Sequence, residues 1–266
     1  MDPVAARDPV RWCLLFRRSF TIWPMTRPPT VAGRVSVVMP SYRLAKTIEA
    51  NIDRTVEALA ALDDFEIVVV DDGSDDGTGD AARLAAAHHP PVSVLSYPTN
   101  RGKGAALQRG FEDTSGATVV FLDGDLDLPP EQVPGFLAAF EEQDVDALVG
   151  AKQRAMSPGT YPAMRRVLSR VFSGTIRVLF RLPVSETQTG LKAFRRKPLE
   201  DFLPDLEVKR YTFDLELLVK MQRAGYRIGE APVTLAAGAS ATGVSLRTLW
   251  EMGRDTAITW LRSLRW

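Results

Sequence analysis

The sequence is poor in the residues that staple small folds together. Cys13 is the single cysteine in 266 residues, which excludes an internal disulfide, and the two histidines, His88 and His89, stand side by side without further soft ligands. Structural zinc is therefore not expected. Long apolar runs are missing too. The stretch Trp12 to Phe16 is far shorter than the roughly 20 residues needed to span a bilayer, and Arg17-Arg18 follow it on the wrong side for a secretory signal peptide. These absences point to a cytoplasmic chain with no transmembrane helix. Excess charge of one sign is also lacking: 33 Lys and Arg balance 33 Asp and Glu. Net charge gives no reason to expect nucleic acid, and electrostatic preference is left to local patches.

What is present is enough apolar content, 45% against 25% charged, to bury a large core in one α/β domain. The residues before about 32 show no period and end in the Pro/Thr/Arg cluster Pro24 to Thr30, where Met25 is a candidate start. From Val35, short β-branched runs alternate with helical stretches; the runs are Val35 to Met39, Glu66 to Val70, Val92 to Ser96, Thr118 to Leu122 and Asp146 to Val149. That alternation predicts a mostly parallel sheet flanked by helices. Ile48, Ile52, Val56 and Leu59 recur at helical spacing, and Thr78 to Ala87, Lys103 to Asp113 and Glu131 to Glu142 read as further crossover helices. The first half thus resembles a Rossmann-like half-fold. Beyond about residue 150 the strand signal fades, and helical pattern dominates from Ala163 to Leu182 and from Phe213 to Ala224.

Two aspartate clusters follow strands directly. The run Glu66 to Val70 leads into Asp71-Asp72-Gly73-Ser74-Asp75-Asp76-Gly77-Thr78, and the run Thr118 to Leu122 into Asp123-Gly124-Asp125-Leu126-Asp127. Both sit at the carboxyl edge of the expected sheet, where open α/β folds bind ligands. The first suits either a solvated turn or a carboxylate pair that accepts hydrogen bonds from a base or ribose. The second places hard oxygen ligands at alternate positions, a pattern suited to Mg²⁺ or Mn²⁺ and to the diphosphate such an ion would neutralise. An EF-hand is excluded, because Arg83 stands where its bidentate Glu is required, and Leu107 replaces the third glycine of a dinucleotide fingerprint after Gly102-Lys103-Gly104.

Between Met164 and Leu182, Arg166, Arg170, Arg177 and Arg181 share one helical stripe opposite Val167, Leu168, Val171, Val178 and Leu179. Such a helix fits either an anionic membrane interface or an ordinary solvent face. The end of the chain sets Trp250, Trp260 and Trp266 among Arg247, Arg254, Arg262 and Arg265. Interfacial anchoring and packing on the core are both open for it.

Taken in order, the segments Val37 to Tyr42, Val69 to Ser74, Asn100 to Ala106, Asp123 to Asp127, Thr187 to Phe194, Phe213 to Leu218 and Glu230 to Val233 resemble the GT-A glycosyltransferases of family 2, especially the dolichyl-phosphate glucose and mannose synthases. The resemblance implies a GT-A fold over residues 33–245, nucleotide-binding to about 150 and acceptor-binding after it, with a tail at 1–32 and an amphipathic helix at 246–266. It also implies that Pro40, Tyr42 and Asp71 or Asp72 hold the nucleoside, that Lys103 joins the donor site, and that Asp123, Asp125 and Asp127 surround a Mg²⁺ or Mn²⁺ ion and the diphosphate. The implied reaction is inverting transfer of a hexose, glucose ahead of mannose, from UDP-glucose or GDP-mannose to a polyprenyl phosphate at the inner face of the cell membrane. Lys192, beside Gly190, is a candidate phosphate contact. A hydroxyl acceptor would instead need a carboxylate base, for which Asp214 or Glu216 is placed by pattern, and a nonenzymatic nucleotide-sugar-binding module is the reading from another class. The chain departs from the family in Ser41-Tyr42-Arg43-Leu44 after Pro40, in Asp127 where mannosyl synthases often carry glutamine, and in the late loop Gly238-Ala239-Ser240-Ala241, which lacks a basic residue.

Overall fold

The computed structural model describes residues 31, 33–152, 174, 176, 179–206, 212–236 and 246–263. The tail, the arginines at 166, 170 and 177, the side chain of Trp250, Trp266 and the loop 238–241 lie outside them. Strands β1 (Val35–Ser41), β2 (Phe65–Asp71), β3 (Val92–Ser96), β4 (Thr118–Leu122), β5 (Ala147–Lys152), β6 (Leu191–Arg195) and β7 (Ile228–Val233) form one sheet. Its order is β3-β2-β1-β4-β6-β5-β7. All neighbours run parallel except at β6, which is antiparallel to both β4 and β5. The helices are α1 (Ile48–Leu59), α2 (Thr78–Ala86), α3 (Lys103–Glu112), α4 (Val133–Gln143), α5 (Arg196–Phe202), α6 (Phe213–Arg223) and α7 (Leu246–Ser263).

The strands are apolar without alternation because both faces of the sheet are covered. Val37, Met39, Ile67, Val69, Val120 and Leu122 pack with Ile48, Ile52 and Leu59 of α1, Ala82 of α2 and Phe136 and Phe140 of α4. The intervening Val38, Val68, Val70, Val119 and Phe121 pack with Leu107 and Phe111 of α3 and with Leu215 and Leu218 of α6 on the other side. Gly110 lets α3 lie against the sheet, since a Cβ there would come within 2.4 Å of Val38 Cγ1. That close seat aims the first residue of α3, Lys103, at the carboxyl edge. Among the described residues no helix is long and apolar enough to cross a membrane. Trp260 of α7 packs against the second core while Leu261 beside it is exposed.

Two strands, β6 and β7, lie beyond residue 150, where the strand signal in the sequence fades. β6 escapes notice because Lys192 and Arg195 interrupt it, and β7 because it carries Glu230 and Pro232. Pro232 is tolerated there because β7 forms an edge of the sheet. At the opposite, amino edge, the Glu66 carboxylate accepts hydrogen bonds from Ser36 Oγ at 2.6 Å, Ser115 N at 2.6 Å and Ser115 Oγ at 3.0 Å. Burial raises its pKa, but these bonds and Arg34 outweigh burial and hold it below the ordinary glutamate value. A depressed carboxylate stabilises the fold above its unfolded pKa and loses that contribution as pH falls through the folded one. Urea midpoints are accordingly expected to be lower for Glu66→Gln than for the native chain at about pH 7, with the gap closing by about pH 3. A gap that stays constant with pH would show that the charge contributes nothing.

Candidate active site

The strand order reverses between β1 and β4: from β1 the chain steps outward to β2 and β3, then returns to the other side of β1. Adjacent carboxyl ends at such a switch point splay apart and leave a crevice. Here that crevice is a cleft of about 570 Å³ lined by Pro40, Ser41, Tyr42 and Leu44 after β1, Asp123, Gly124 and Asp125 after β4, and Asp72, Asn100, Gly102 and Lys103 beside them.

Each wall is fixed by its own sequence. Gly124 allows the β4 loop to pass β1, since a Cβ there would meet Ser41 Oγ at 2.3 Å. Gly124 N bonds Pro40 O at 3.1 Å, Asp123 N bonds Gly190 O at 3.1 Å, and Asn51 Nδ2 of α1 reaches Gly124 O at 2.8 Å. Asp72 is buried and accepts from Tyr97 Oη at 2.6 Å, Arg101 N at 2.8 Å and Gly102 N at 2.9 Å. The carboxylate therefore anchors the turn that starts α3, and burial with this bond pushes the Tyr97 phenol up. Tyr42 stands half exposed at the mouth with the Arg43 guanidinium 5.2 Å from its ring centroid.

The charged side chains divide between the cleft and the floor beneath it. Lys103 Nζ lies 2.5 Å from Asp123 Oδ1. Burial works against the Lys103 ammonium, but Asp123, Asp214 and Asp125 outweigh it and hold its pKa above the ordinary lysine value. Partial withdrawal from water raises Asp125, and the charges of Asp123 and Asp127 add to the rise, with Lys103 opposing. Under the floor, Lys192 Nζ donates to Thr189 O at 2.5 Å and lies 3.1 Å from Asp214 Oδ1, both side chains being almost fully buried. Burial pushes the Lys192 amine down and the Asp214 carboxyl up, and each partner opposes the shift of the other.

Several expected site residues are placed differently. Asp71 is buried and turns to the α2 side, where Oδ1 accepts from Ser74 N at 3.1 Å and Oδ2 lies against Gly79, so it does not line the cleft. Asp127 is also absent from the lining. Leu126 adopts a left-handed φ of 51°, so the chain reverses between Asp125 and Asp127, and the Asp127 amide bonds Asp125 Oδ1 at 3.2 Å. Among the described residues no three acidic, histidine or cysteine side chains gather as one ligand set; the β4 loop brings the pair Asp123 and Asp125 to the cleft, with Asp72 apart from them on the α3 turn. Lys192 offers no phosphate contact in this arrangement, because it pairs in register with Phe121 and Val149 in the middle of the sheet and its amine turns to Asp214 on α6. Glu216 is buried and pairs with Lys220 at 3.1 Å. Tyr97 and Asn51 were missed as supports, since nothing in a lone tyrosine or asparagine signals its partner across the fold.

The pattern of glycosyl transferase family 2 matches residues 36–203, well over half of the chain. The chain belongs to glycosyl transferase family 2. This family-2 chain is 34% identical over 244 residues to glycosyltransferase AglD of Haloferax volcanii, covering 89% of the chain but 39% of the relative. It is 31% identical to the undecaprenyl-phosphate mannosyltransferase of Micrococcus luteus, over 76% of the chain and 83% of that protein. It is 30% identical to a dolichyl-phosphate beta-glucosyltransferase of Trichomonas vaginalis, over 75% and 64%. The chain thus spans about two fifths of the length of AglD. Glucosyl-3-phosphoglycerate synthase from Mycobacterium tuberculosis, solved with Mn²⁺, uridine diphosphate and phosphoglyceric acid, superposes with a TM-score of 0.68 at 25% identity, over 87% of this chain and 78% of that one. The mannosyltransferase PcManGT of Pyrobaculum calidifontis, solved with GDP-Man and Mn²⁺, shares the fold with a TM-score of 0.64 at 24% identity, over 96% and 69%. The architecture is the GT-A fold expected from the motifs.

In this family-2 chain Gly190 packs directly against Asp123. A Cβ on it would come within 2.4 Å of Asp123 Oδ2, so Gly190→Ala must displace the Asp123 side chain. The expected result is a folded variant whose sugar transfer drops about tenfold or more, measured as kcat beside a thermal melt; unchanged kcat would show that Asp123 tolerates the shift.

Proposed function

We propose that this chain transfers a hexose from a nucleoside diphosphate sugar to a polyprenyl phosphate, with inversion and with the help of a divalent cation. The observation that carries the reading is the meeting of Asp123, Asp125 and Lys103 with the amino end of α3 in the switch-point cleft. A helix amino terminus and an ammonium are suited to a diphosphate, and two carboxylates are the usual protein share of a Mg²⁺ or Mn²⁺ site whose other ligands are phosphate oxygens and water. Asp123 and Asp125 are the residues that would hold the ion, which when bound supplies charge neutralisation for the departing diphosphate. The solved neighbours that contain Mn²⁺ beside a nucleotide support the assignment.

Pro40, Tyr42 and Asp72 line the cleft and would seat the nucleoside, with Asp72 acting chiefly through the turn it anchors. Lys103 and α3 face the phosphates. A phosphate monoester acceptor has its second pKa near about 6, so at neutral pH it attacks as a dianion and needs no strong base. Direct displacement then inverts the anomeric centre. Asp214 favours this acceptor over a hydroxyl: the carboxylate a hydroxyl would need as base is held beneath the floor by Lys192. Relatives named for undecaprenyl and dolichyl phosphate support the lipid acceptor, which would place the protein peripherally at the inner face of the membrane. We rank glucose ahead of mannose because the Gly102-Lys103-Gly104 and Gln188 to Phe194 segments resemble the glucosyl branch of the family.

The test is incubation with labelled UDP-glucose or GDP-mannose, Mg²⁺ or Mn²⁺, and polyprenyl phosphate in detergent. Label is expected in the chloroform-extractable lipid. Label transferred only to a glycan hydroxyl would overturn the acceptor, and nucleotide binding with no transfer to either would point to a noncatalytic module.

A further inference from the structure

The two oxygens of Asp123 face different neighbours. Oδ2 lies against Gly190, where an added Cβ would come within 2.4 Å. Oδ1 carries the Lys103 ammonium at 2.5 Å. The Lys103 and Asp123 side chains are 35% and 32% exposed, so this ion pair is open to the cleft, in contrast to Lys192 and Asp214 at 2% and 4%. A hard divalent cation bonds a carboxylate oxygen at roughly 2.0–2.2 Å. Two cations on one oxygen at such distances would repel strongly, so the ion and the lysine compete for Oδ1.

Lys103 has somewhere else to go. Its backbone is fixed as the first residue of α3, because Asp72 holds Arg101 N and Gly102 N, while a lysine's four-carbon stem has the rotatable bonds to carry the ammonium elsewhere in the cleft. A diphosphate entering beside α3 would offer the ammonium a stronger anion than a single carboxylate.

We propose that Lys103 is the built-in counter-ion of Asp123 and that a donor diphosphate draws it off, freeing Asp123 Oδ1 for the divalent cation. Nucleotide and cation then bind with positive coupling, and by linkage each strengthens the other by the same factor. In the ligand-free cleft Lys103 also offsets the repulsion between Asp123 and Asp125. The proposal rests on the donor and cation site assigned above, and it adds a required exchange between lysine and metal.

The experiment reads binding. Mn²⁺ is titrated against the nucleotide-free full chain by electron paramagnetic resonance, and UDP and GDP are titrated separately in EDTA by calorimetry. For Lys103→Met, Mn²⁺ affinity is expected to rise about tenfold, and the affinity for whichever nucleotide the native chain prefers to fall by a similar factor. The opposite signs matter, because a merely structural lysine would weaken both. Lys103→Arg, which keeps a cation beside Asp123, should leave Mn²⁺ binding as weak as in the native chain, and Lys103→Gln replaces the methionine variant if that one does not fold. A folded neutral variant that binds Mn²⁺ no more tightly than the native chain, while transfer stays metal-dependent, overturns the exchange alone. Absence of Mn²⁺ binding in every variant, with transfer persisting in EDTA, overturns it together with the cation site.

Discussion

Asp125→Ala is expected to leave a folded protein whose kcat for sugar transfer falls by roughly 10³-fold, the scale seen when one preorganised charge partner of a transition state is removed. Asp125 lines the cleft yet makes few structural contacts: among the described residues its carboxylate accepts one bond, from the Asp127 amide at 3.2 Å. Its pKa is raised by partial desolvation and by Asp123. A carboxyl with a raised folded pKa costs stability once it is ionised, and that cost fades as pH falls. The variant should therefore melt at the native temperature or slightly above it at neutral pH, the pattern of a residue kept for function against stability. Initial rates at saturating donor and acceptor, with thermal melts of both proteins, check the pair of outcomes. A rate within tenfold of native would remove Asp125 from the chemistry, and a large fall in melting temperature would make the rate loss uninformative about charge.

Lys192→Met should be the most damaging single change to the fold. It leaves Asp214 buried without its cation, and breaking a buried pair on one side costs about 3–5 kcal/mol. At about 2–4 °C per kcal/mol for a chain of this size, the melting temperature should fall by about 6–20 °C. The double variant Lys192→Met/Asp214→Leu removes both charges and should recover most of the loss, since apolar replacement of a whole buried pair is often neutral or stabilising. A double-mutant cycle from urea unfolding measures the coupling, expected to exceed about 2 kcal/mol. A loss below about 1 kcal/mol for Lys192→Met alone would mean that water or another group satisfies Asp214.

These two expectations separate residues that looked alike in the sequence. Asp125 and Lys192 were both marked as chemistry-bearing, one from an Asp-x-Asp spacing and one from its place beside Gly190. The first reaches the cleft because it follows a central parallel strand. The second cannot, because β6 runs antiparallel to β4 and the pleat sends Lys192 toward α6, between Phe121 and Val149. The sequence held no sign of that direction: β6 is a short strand broken by basic residues, and side-chain facing depends on a register that only its neighbours set.

Asp71 and Asp127 make the same point within a single motif. Adjacent or alternate aspartates read as one ligand set, yet Asp71, the last residue of β2, bonds on the α2 side while Asp72, just past the strand end, bonds the turn before α3. Asp127 is carried out of the lining by the left-handed turn at Leu126, a conformation that a leucine does not advertise.

By itself the sequence determined the five parallel-type strands of the first half, the helices that cover them and the carboxyl-edge location of both aspartate clusters. Those features are local, written in hydrophobic period and turn residues, and they survive any reasonable packing. Tertiary structure alone decided which carboxylates face the cleft, which lysine serves Asp123 and which is buried with Asp214, and where the antiparallel strand inserts. Each of those outcomes depends on contacts between segments 20 to 77 residues apart, and the energy that fixes such contacts, charge pairing in a desolvated interior, is set by distance in space and not by position along the chain.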